Sequence, residues 1–115
     1  GAQVMSIITN DGWWGDTPGY RQHLSYASLR AIETRRSIAR SANTGISAFI
    51  HQRGEVIAST EWWKPASLTE SLPLNNELTI FVRHGDIIGR VAQFLFVLLV
   101  LMSLARTLGR RGAIS

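Results

Sequence analysis

At 115 residues the chain suits one domain, and the lack of cysteine excludes disulfides, thiolate metal sites and a Cys nucleophile within these residues. The net charge of +4 rests almost wholly on arginine, since Lys64 is the sole lysine. Arg106, Arg110 and Arg111 gather at the C-terminus beside an apolar run, which points to a membrane rather than to nucleic acid.

The chain opens at Gly1 without a signal-peptide pattern, and its first residues already read as a strand, so a cut N-terminus is expected. Residues 3–9, QVMSIIT, are apolar on both alternating faces and predict a strand covered on both sides of a layered α/β domain. The loop TNDGWWGDTPG follows, with two adjacent tryptophans among glycines and acids. Thr17-Pro18 reads as a helix start, with Thr17 as N-cap and Pro18 in the first turn. The helix is expected to run to about Arg36, with Tyr20, Leu24, Ala27 and Ala31 on one face.

Residues 37–43 and 46–52 predict two short strands joined near Asn43-Thr44-Gly45. HQRGE, residues 51–55, predicts a hairpin turn with Gly54 at positive φ, and residues 55–60 the return strand. Pro65 and Pro73 make 61–77 loops and an edge strand. Residues 78–83 read as extended or connecting, and Gly85-Asp86 as a break. From Ile87 to Ala105 the chain is apolar apart from Arg90 and Gln93 near its start. Nineteen helical residues span about 28 Å, close to the ~30 Å of bilayer hydrocarbon. A buried helix of a soluble domain is the alternative, but so short a chain has little volume to enclose one.

Two readings of the tryptophan loop stand side by side. In one, Asp11 caps the turn by accepting backbone N–H bonds while one Trp fills the core. In the other, Asn10 and Asp11 sit at a strand end where sites gather, and Trp13 and Trp14 wall an apolar pocket or touch lipid. His23 lies early in the helix, near enough to face the same place. His23, His51 and His84 have no metal-ligand spacing, and no nucleophile elbow or phosphate loop is present. Arg30 and Glu33 are either a solvated pair or a buried one fixing the helix to the sheet, and Arg40 follows them. These residues contain no complete catalytic set.

The order of motifs resembles the C-terminal half of a nitrilase-superfamily domain: Gly1-Ala2 at a strand start, Arg30-Ala31 with Glu33, Asn43 with Gly45, and the hairpin Gly54. The loop Asn10-Asp11-Gly12-Trp13-Trp14-Gly15, and Thr79, Phe81, Arg83, Gly85 and Asp86 before a final span, resemble more narrowly the apolipoprotein N-acyltransferase family. Soluble nitrilases lack that span. The resemblance implies an α/β fold, the C-terminal half of an α-β-β-α sandwich followed by one transmembrane helix. Residues 1–86 would then be periplasmic, 87–106 the span and 107–115 a cytoplasmic basic tail in a bacterial inner membrane.

The activity it implies is transfer of an acyl chain from a phospholipid donor to the diacylglyceryl-cysteine of an apolipoprotein acceptor, without metal or cofactor. A Cys nucleophile, a Glu base and an oxyanion-stabilising Lys would lie upstream, leaving this stretch inert alone. Asn10, Asp11, Trp13, Trp14, Gly15 and His23 would border the substrate pocket. Arg30, Glu33, Asn43, Gly45, Gly54, Arg83 and Asp86 would be structural. The partners expected are the bilayer and the two substrates, with no nucleic acid and a monomeric protein. The competing readings are a non-catalytic, tail-anchored periplasmic interaction domain and a nitrilase-like amidase.

Overall fold

A computed structural model describes residues 1–112, with side chains described through residue 109. The elements are β1 (Val4–Thr9), a 3-10 turn (Gly12–Trp14), α1 (Gly19–Thr34), β2 (Ser37–Ala42), β3 (Ala48–Ile50), β4 (Val56–Ser59), α2 (Ile80–His84) and α3 (Ile87–Gly112). The chain is thus α/β, as expected. It divides into two compact units, Gly1–Arg83 and the part from His84 onward.

In the first unit four strands form one mixed sheet in the order β1-β2-β3-β4. β1 and β2 are parallel, so the chain must cross over between them, and α1 is that crossover. β2–β3 and β3–β4 are antiparallel. Met5 pairs with Ile38 and Ile7 with Arg40, while Ile38 and Arg40 pair with Ile50 and Ala48. Alternation puts these residues on one sheet face. Ala27 and Ala31 pack there with Ile38, Ala48 and Ile50, joined by Met5, Ile7 and Leu24. The helix face expected from Tyr20, Leu24, Ala27 and Ala31 is the one turned inward: three are buried and Leu24 packs on the core. Alanines at the contact let the helix backbone approach the sheet closely.

The two-sided burial expected of residues 3–9 is not found. Ile8 is 87 % exposed and Ser6 is exposed, because β1 lies at the edge of the sheet and α1 covers one face only. On the other face Ser6, Ala39, Ser47, Phe49 and Leu68 line a cavity of about 300 Å3. The edge strand expected within 61–77 is also absent, as those residues form no regular element. Side chains take the place of a ladder there. Ser37 Oγ donates to Pro73 O at 2.8 Å, Asn75 Nδ2 to Arg35 O at 3.1 Å, and Thr79 Oγ1 to Glu33 O at 2.5 Å. Buried Arg36 donates to four carbonyls, those of Ala2, Thr34, Arg35 and Glu77.

Two termini differ from expectation. α1 begins at Gly19 and ends at Thr34, where Arg35 turns the chain at φ 52°. Thr17 Oγ1 donates to Trp14 O at 2.7 Å and is 3.4 Å from Gly19 N, so it ties the loop down more than it caps the helix. Residues 80–84 are a short helix rather than extended chain, because Thr79 Oγ1 accepts from Val82 N at 3.1 Å. The hairpin is as expected: His51 N donates to Glu55 O at 2.8 Å, and Gly54 has φ 88°.

In the second unit Asp86 caps α3, accepting from Gly89 N at 2.7 Å. The 23 residues Ile87–Gly109 contain an 18-residue window of mean hydropathy 2.3 and are long and apolar enough to cross a membrane. None of that window is buried by the described residues. α3 continues to Gly112, so the first residues of the expected basic tail are helical. Residues 113–115 of that tail lie outside the described residues.

Candidate functional site

β1 ends at Thr9 and delivers Asn10 and Asp11 to the edge of the helix-covered face. The turn that follows is held by Asn10, whose Oδ1 accepts from Gly12 N at 3.1 Å. Asp11 contributes its carbonyl, which accepts from Trp14 N at 3.1 Å, but its side chain makes no capping bond. The capping role expected of the Asp11 carboxylate therefore belongs to its neighbour.

The Asp11 carboxylate points inward and is fully buried. Its Oδ2 accepts from Arg40 Nη2 at 2.8 Å. Its Oδ1 faces His23 Nδ1 at 2.8 Å and accepts from Thr9 Oγ1 at 3.2 Å. Arg40 is equally buried and also donates through Nη1 to Ile46 O. A buried ion pair is tolerated only when its remaining hydrogen-bonding capacity is filled, and here the loop, α1, β2 and the turn after β2 all contribute. Burial alone would raise the Asp11 pKa; the Arg40 and His23 hydrogen bonds and charges outweigh it and hold the carboxyl below its ordinary value.

An ionised carboxylate only accepts hydrogen bonds, so the proton between Asp11 and His23 sits on Nδ1. The 3.5 Å approach of Arg40 Nη2 to that same nitrogen is then a contact between two donors. Nδ1–H tautomerism leaves the Nε2 lone pair free, and Nε2 makes no hydrogen bond among the described residues. The His23 side chain is 38 % exposed, unlike its two partners.

Gly45 is buried against this carboxylate. A Cβ there would stand 2.1 Å from Asp11 Oδ2, so only glycine fits. Asn43 is exposed, and its N–H donates to Thr9 O at 3.0 Å, extending the β1–β2 pairing up to the site.

Neither tryptophan fills the core. Trp13 is 87 % exposed, and Trp14 lies over the start of α1, its ring 2.5 Å from where a Gly19 Cβ would be. Beside them Tyr20 stacks on Trp62 with centroids 5.2 Å apart, and Trp62 leans on Trp63. The loop thus presents aromatic surface outward from a rigid, charged anchor. Gly15 turns it at φ 53°.

Asn10, Asp11, Trp13, Trp14, Gly15 and His23 therefore belong to one loop-and-helix cluster. Arg30 and Glu33 lie outside it as a solvated pair at 2.7 Å, and Gly54 packs at the far turn against Ile32 and Ser28. Arg83 lies in α2 and Asp86 immediately precedes α3. Arg40 carries the cluster but was not distinguished from its helix neighbours by sequence reasoning. A signal was there: Arg40 is two residues from Ile38, in phase with the inward side of β2, and an inward arginine needs an acid.

No protein-family profile matches the chain. Comparison with curated proteins finds an apolipoprotein N-acyltransferase of Chlorobaculum tepidum that is 39 % identical over 106 residues, 92 % of this chain and 20 % of that one. Another, of Bradyrhizobium diazoefficiens, is 42 % identical over 90 % of this chain and 19 % of its own length. A third, of Nitrosomonas europaea, is 36 % identical over 96 % of this chain and 22 % of its own length. By homology over most of its residues, the chain belongs to the apolipoprotein N-acyltransferase family and spans about a fifth of the length of the curated relatives it matches.

Proposed function

We propose that this chain is the C-terminal part of a membrane N-acyltransferase that moves an acyl chain from a phospholipid to the diacylglyceryl-cysteine of an apolipoprotein. The observation that carries this is the homology to apolipoprotein N-acyltransferases over nearly the whole chain. α3, apolar and unburied, supports a membrane setting. The nucleophile, base and oxyanion donor implied by the resemblance lie in the rest of the protein, so this stretch is inert alone. Its contribution is the mouth: Asp11, Arg40 and His23 hold the loop rigid, and Trp13 and Trp14 offer apolar surface to acyl chains. Asn43, Gly45 and Gly54 keep helix and sheet together, Arg30 and Glu33 pair along the solvated side of α1, and Arg83 and Asp86 form the junction to the span. Arginines after α3 favour a cytoplasmic C-terminus and a periplasmic domain.

The test is an assay of the full-length protein with phospholipid and a diacylglyceryl-cysteine peptide. Wild type forms the triacylated peptide only when phospholipid is present. Replacing Trp13 and Trp14 by alanine lowers transfer at least about 10-fold while leaving folded protein nearly unchanged, because trimming exposed side chains costs within about 0.5 kcal/mol. Hydrolysis of small amides without phospholipid dependence would instead identify a nitrilase-like amidase. Equal losses of activity and folded protein in the double variant would make the loop purely structural.

A further inference from the structure

The stretch that leads into α3 carries an apolar surface of its own. α2 holds Ile80, Phe81 and Val82, and all three are exposed, Ile80 at 73 %. Leu78 before them and Ile32 on α1 are exposed too, and with Ile80 and Phe81 they line an open groove of about 550 Å3. This surface is tied down rather than loose. Thr79 Oγ1 donates to Glu33 O at 2.5 Å, Arg36 Nη1 to Glu77 O at 2.7 Å and Asn75 Nδ2 to Arg35 O at 3.1 Å, all at the end of α1. The charged groups of the groove are Glu33, Arg35 and Glu77, and Arg83 lies on α2. Glu33 is neutralised by Arg30. Arg35 and Arg83 are exposed and form no salt bridge among the described residues, against one unpaired acid, Glu77. Apolar side chains rimmed by unpaired arginines suit the boundary between acyl chains and phosphates.

We propose that this surface, formed by Ile32, Leu78 and the apolar residues of α2, lies in the headgroup layer of the bilayer and binds phospholipid there. It rests on the membrane setting proposed above and deepens it. The covalent chain selects the occupant. From Ile80 to Ile87 there are four helical steps and three linking ones, a reach of at most about 17 Å whatever angle α2 makes with α3. The interfacial layer on each side of the hydrocarbon is about 5–8 Å deep. With Ile87 at the start of the span, α2 stands inside that layer or just above it. A protein surface covering the groove would have to supply acids for Arg35 and Arg83, whereas lipid phosphates at that depth supply the opposite charge already. The apolar side chains then meet the upper acyl carbons, and the arginines extend toward the phosphates.

The test uses the full-length protein in nanodiscs of phosphatidylethanolamine and phosphatidylglycerol. Benzoylphenylalanine, which bonds to its neighbour under ultraviolet light, replaces Ile80, an exposed side chain. The same replacement at Ser25, exposed midway along α1, is the comparison. Mass spectrometry of the digested protein reads the adducts. Phospholipid adducts at position 80 are expected about 10-fold or more above those at position 25, since an interfacial side chain sinks about 5–10 Å into the lipid boundary. Adducts from position 80 to another peptide of the protein would make the groove a seat for the rest of the chain and overturn the proposal. Comparable lipid yields at 80 and 25, or none at 80, would overturn it as well. If the Ile80 variant does not fold, the exposed Val82 takes its place; failure of both to fold would mean that these side chains pack against protein, and the lipid assignment would fall. Val97, Leu98 and Leu99, replaced in turn, point in directions about 100° apart around α3. Lipid adducts at none of those three would remove the membrane setting itself, which separates the two failures.

Discussion

Asp11 is the residue on which four separate pieces of chain converge. It joins the end of β1, α1 through His23, β2 through Arg40, and the turn after β2 through the space left by Gly45. Arg40→Met should therefore be strongly destabilising, by about 3–5 kcal/mol, since it strands a buried carboxylate. Thermal denaturation of the purified full-length protein would show the lowered midpoint. Gly45→Ala should be comparably severe, because its methyl would overlap Asp11 Oδ2 and force the ion pair apart. The pH dependence has a definite sign. A carboxyl whose folded pKa lies below its unfolded one contributes stability above the unfolded value, about 3.9, and loses it as pH falls through the folded value. Acid titration should expose this loss in the wild type, and Asp11→Asn, although less stable near neutrality, should lack that acid-dependent component. Sequence put Asp11 at a strand end and His23 early in the following helix, near the loop, but did not show that they bond. Their partner Arg40 is 29 residues from Asp11, and only the β1–β2 pairing brings the two together.

At the scale of elements, local chemistry made some pieces legible. The spacing of Tyr20, Leu24, Ala27 and Ala31 announced the buried face of α1, and Gly54 announced the hairpin. Here a side chain at Gly54 meets both a positive φ and the Ile32 side chain 2.7 Å away, so Gly54→Ala should cost stability by more than the about 1 kcal/mol typical of strain alone. Other pieces were illegible for reasons outside their own residues. Whether β1 is covered on two faces depends on what lies against it, and periodicity cannot distinguish a central strand from an edge one. Residues 61–77 have no ladder; Arg36 and Ser37 donate instead to the carbonyls of Glu77 and Pro73, and Asn75 donates to Arg35 O. α2 was hidden in an apolar stretch whose start signal was a single threonine. At α3, Asp86→Ala removes the one side-chain cap at its N-terminus and should cost about 1 kcal/mol of helix stability, visible as faster amide exchange at Gly89.

Among the described residues, the longest run of exposed large apolar side chains is α3; others are scattered over the tryptophan loop, α1, β4 and α2. The length and hydropathy of Ile87–Gly109 suit a helix that could cross a membrane. The topology proposed above makes a prediction at this scale. A reporter that functions only in the cytoplasm, fused after Ser115 in the full-length protein, should be active, and replacing Arg106, Arg110 and Arg111 by glutamine should lower that activity. A reporter inactive in the cytoplasm-facing fusion would reverse the orientation. The chain matches about a fifth of its relatives' length, so its sheet edge at β1 and the face bearing Ser6, Ile8 and Ser41 are surfaces on which the rest of the protein has room to act.

By itself the sequence determined the α/β class, the helix after the first strand and its buried stripe, the hairpin, and a terminal helix suited to a bilayer. These follow from short-range periodicity, turn chemistry and hydrophobic length, which are properties of neighbouring residues. It also carried the family resemblance, because motif order is a linear property. Tertiary structure alone decided that Asn10 rather than Asp11 caps the loop, that both tryptophans face outward, and that the buried pair Asp11–Arg40 holds the part-exposed His23. A buried charge takes its partner from wherever the fold brings an opposite charge within about 3 Å, and that distance is set by strand pairing and helix packing rather than by position along the chain.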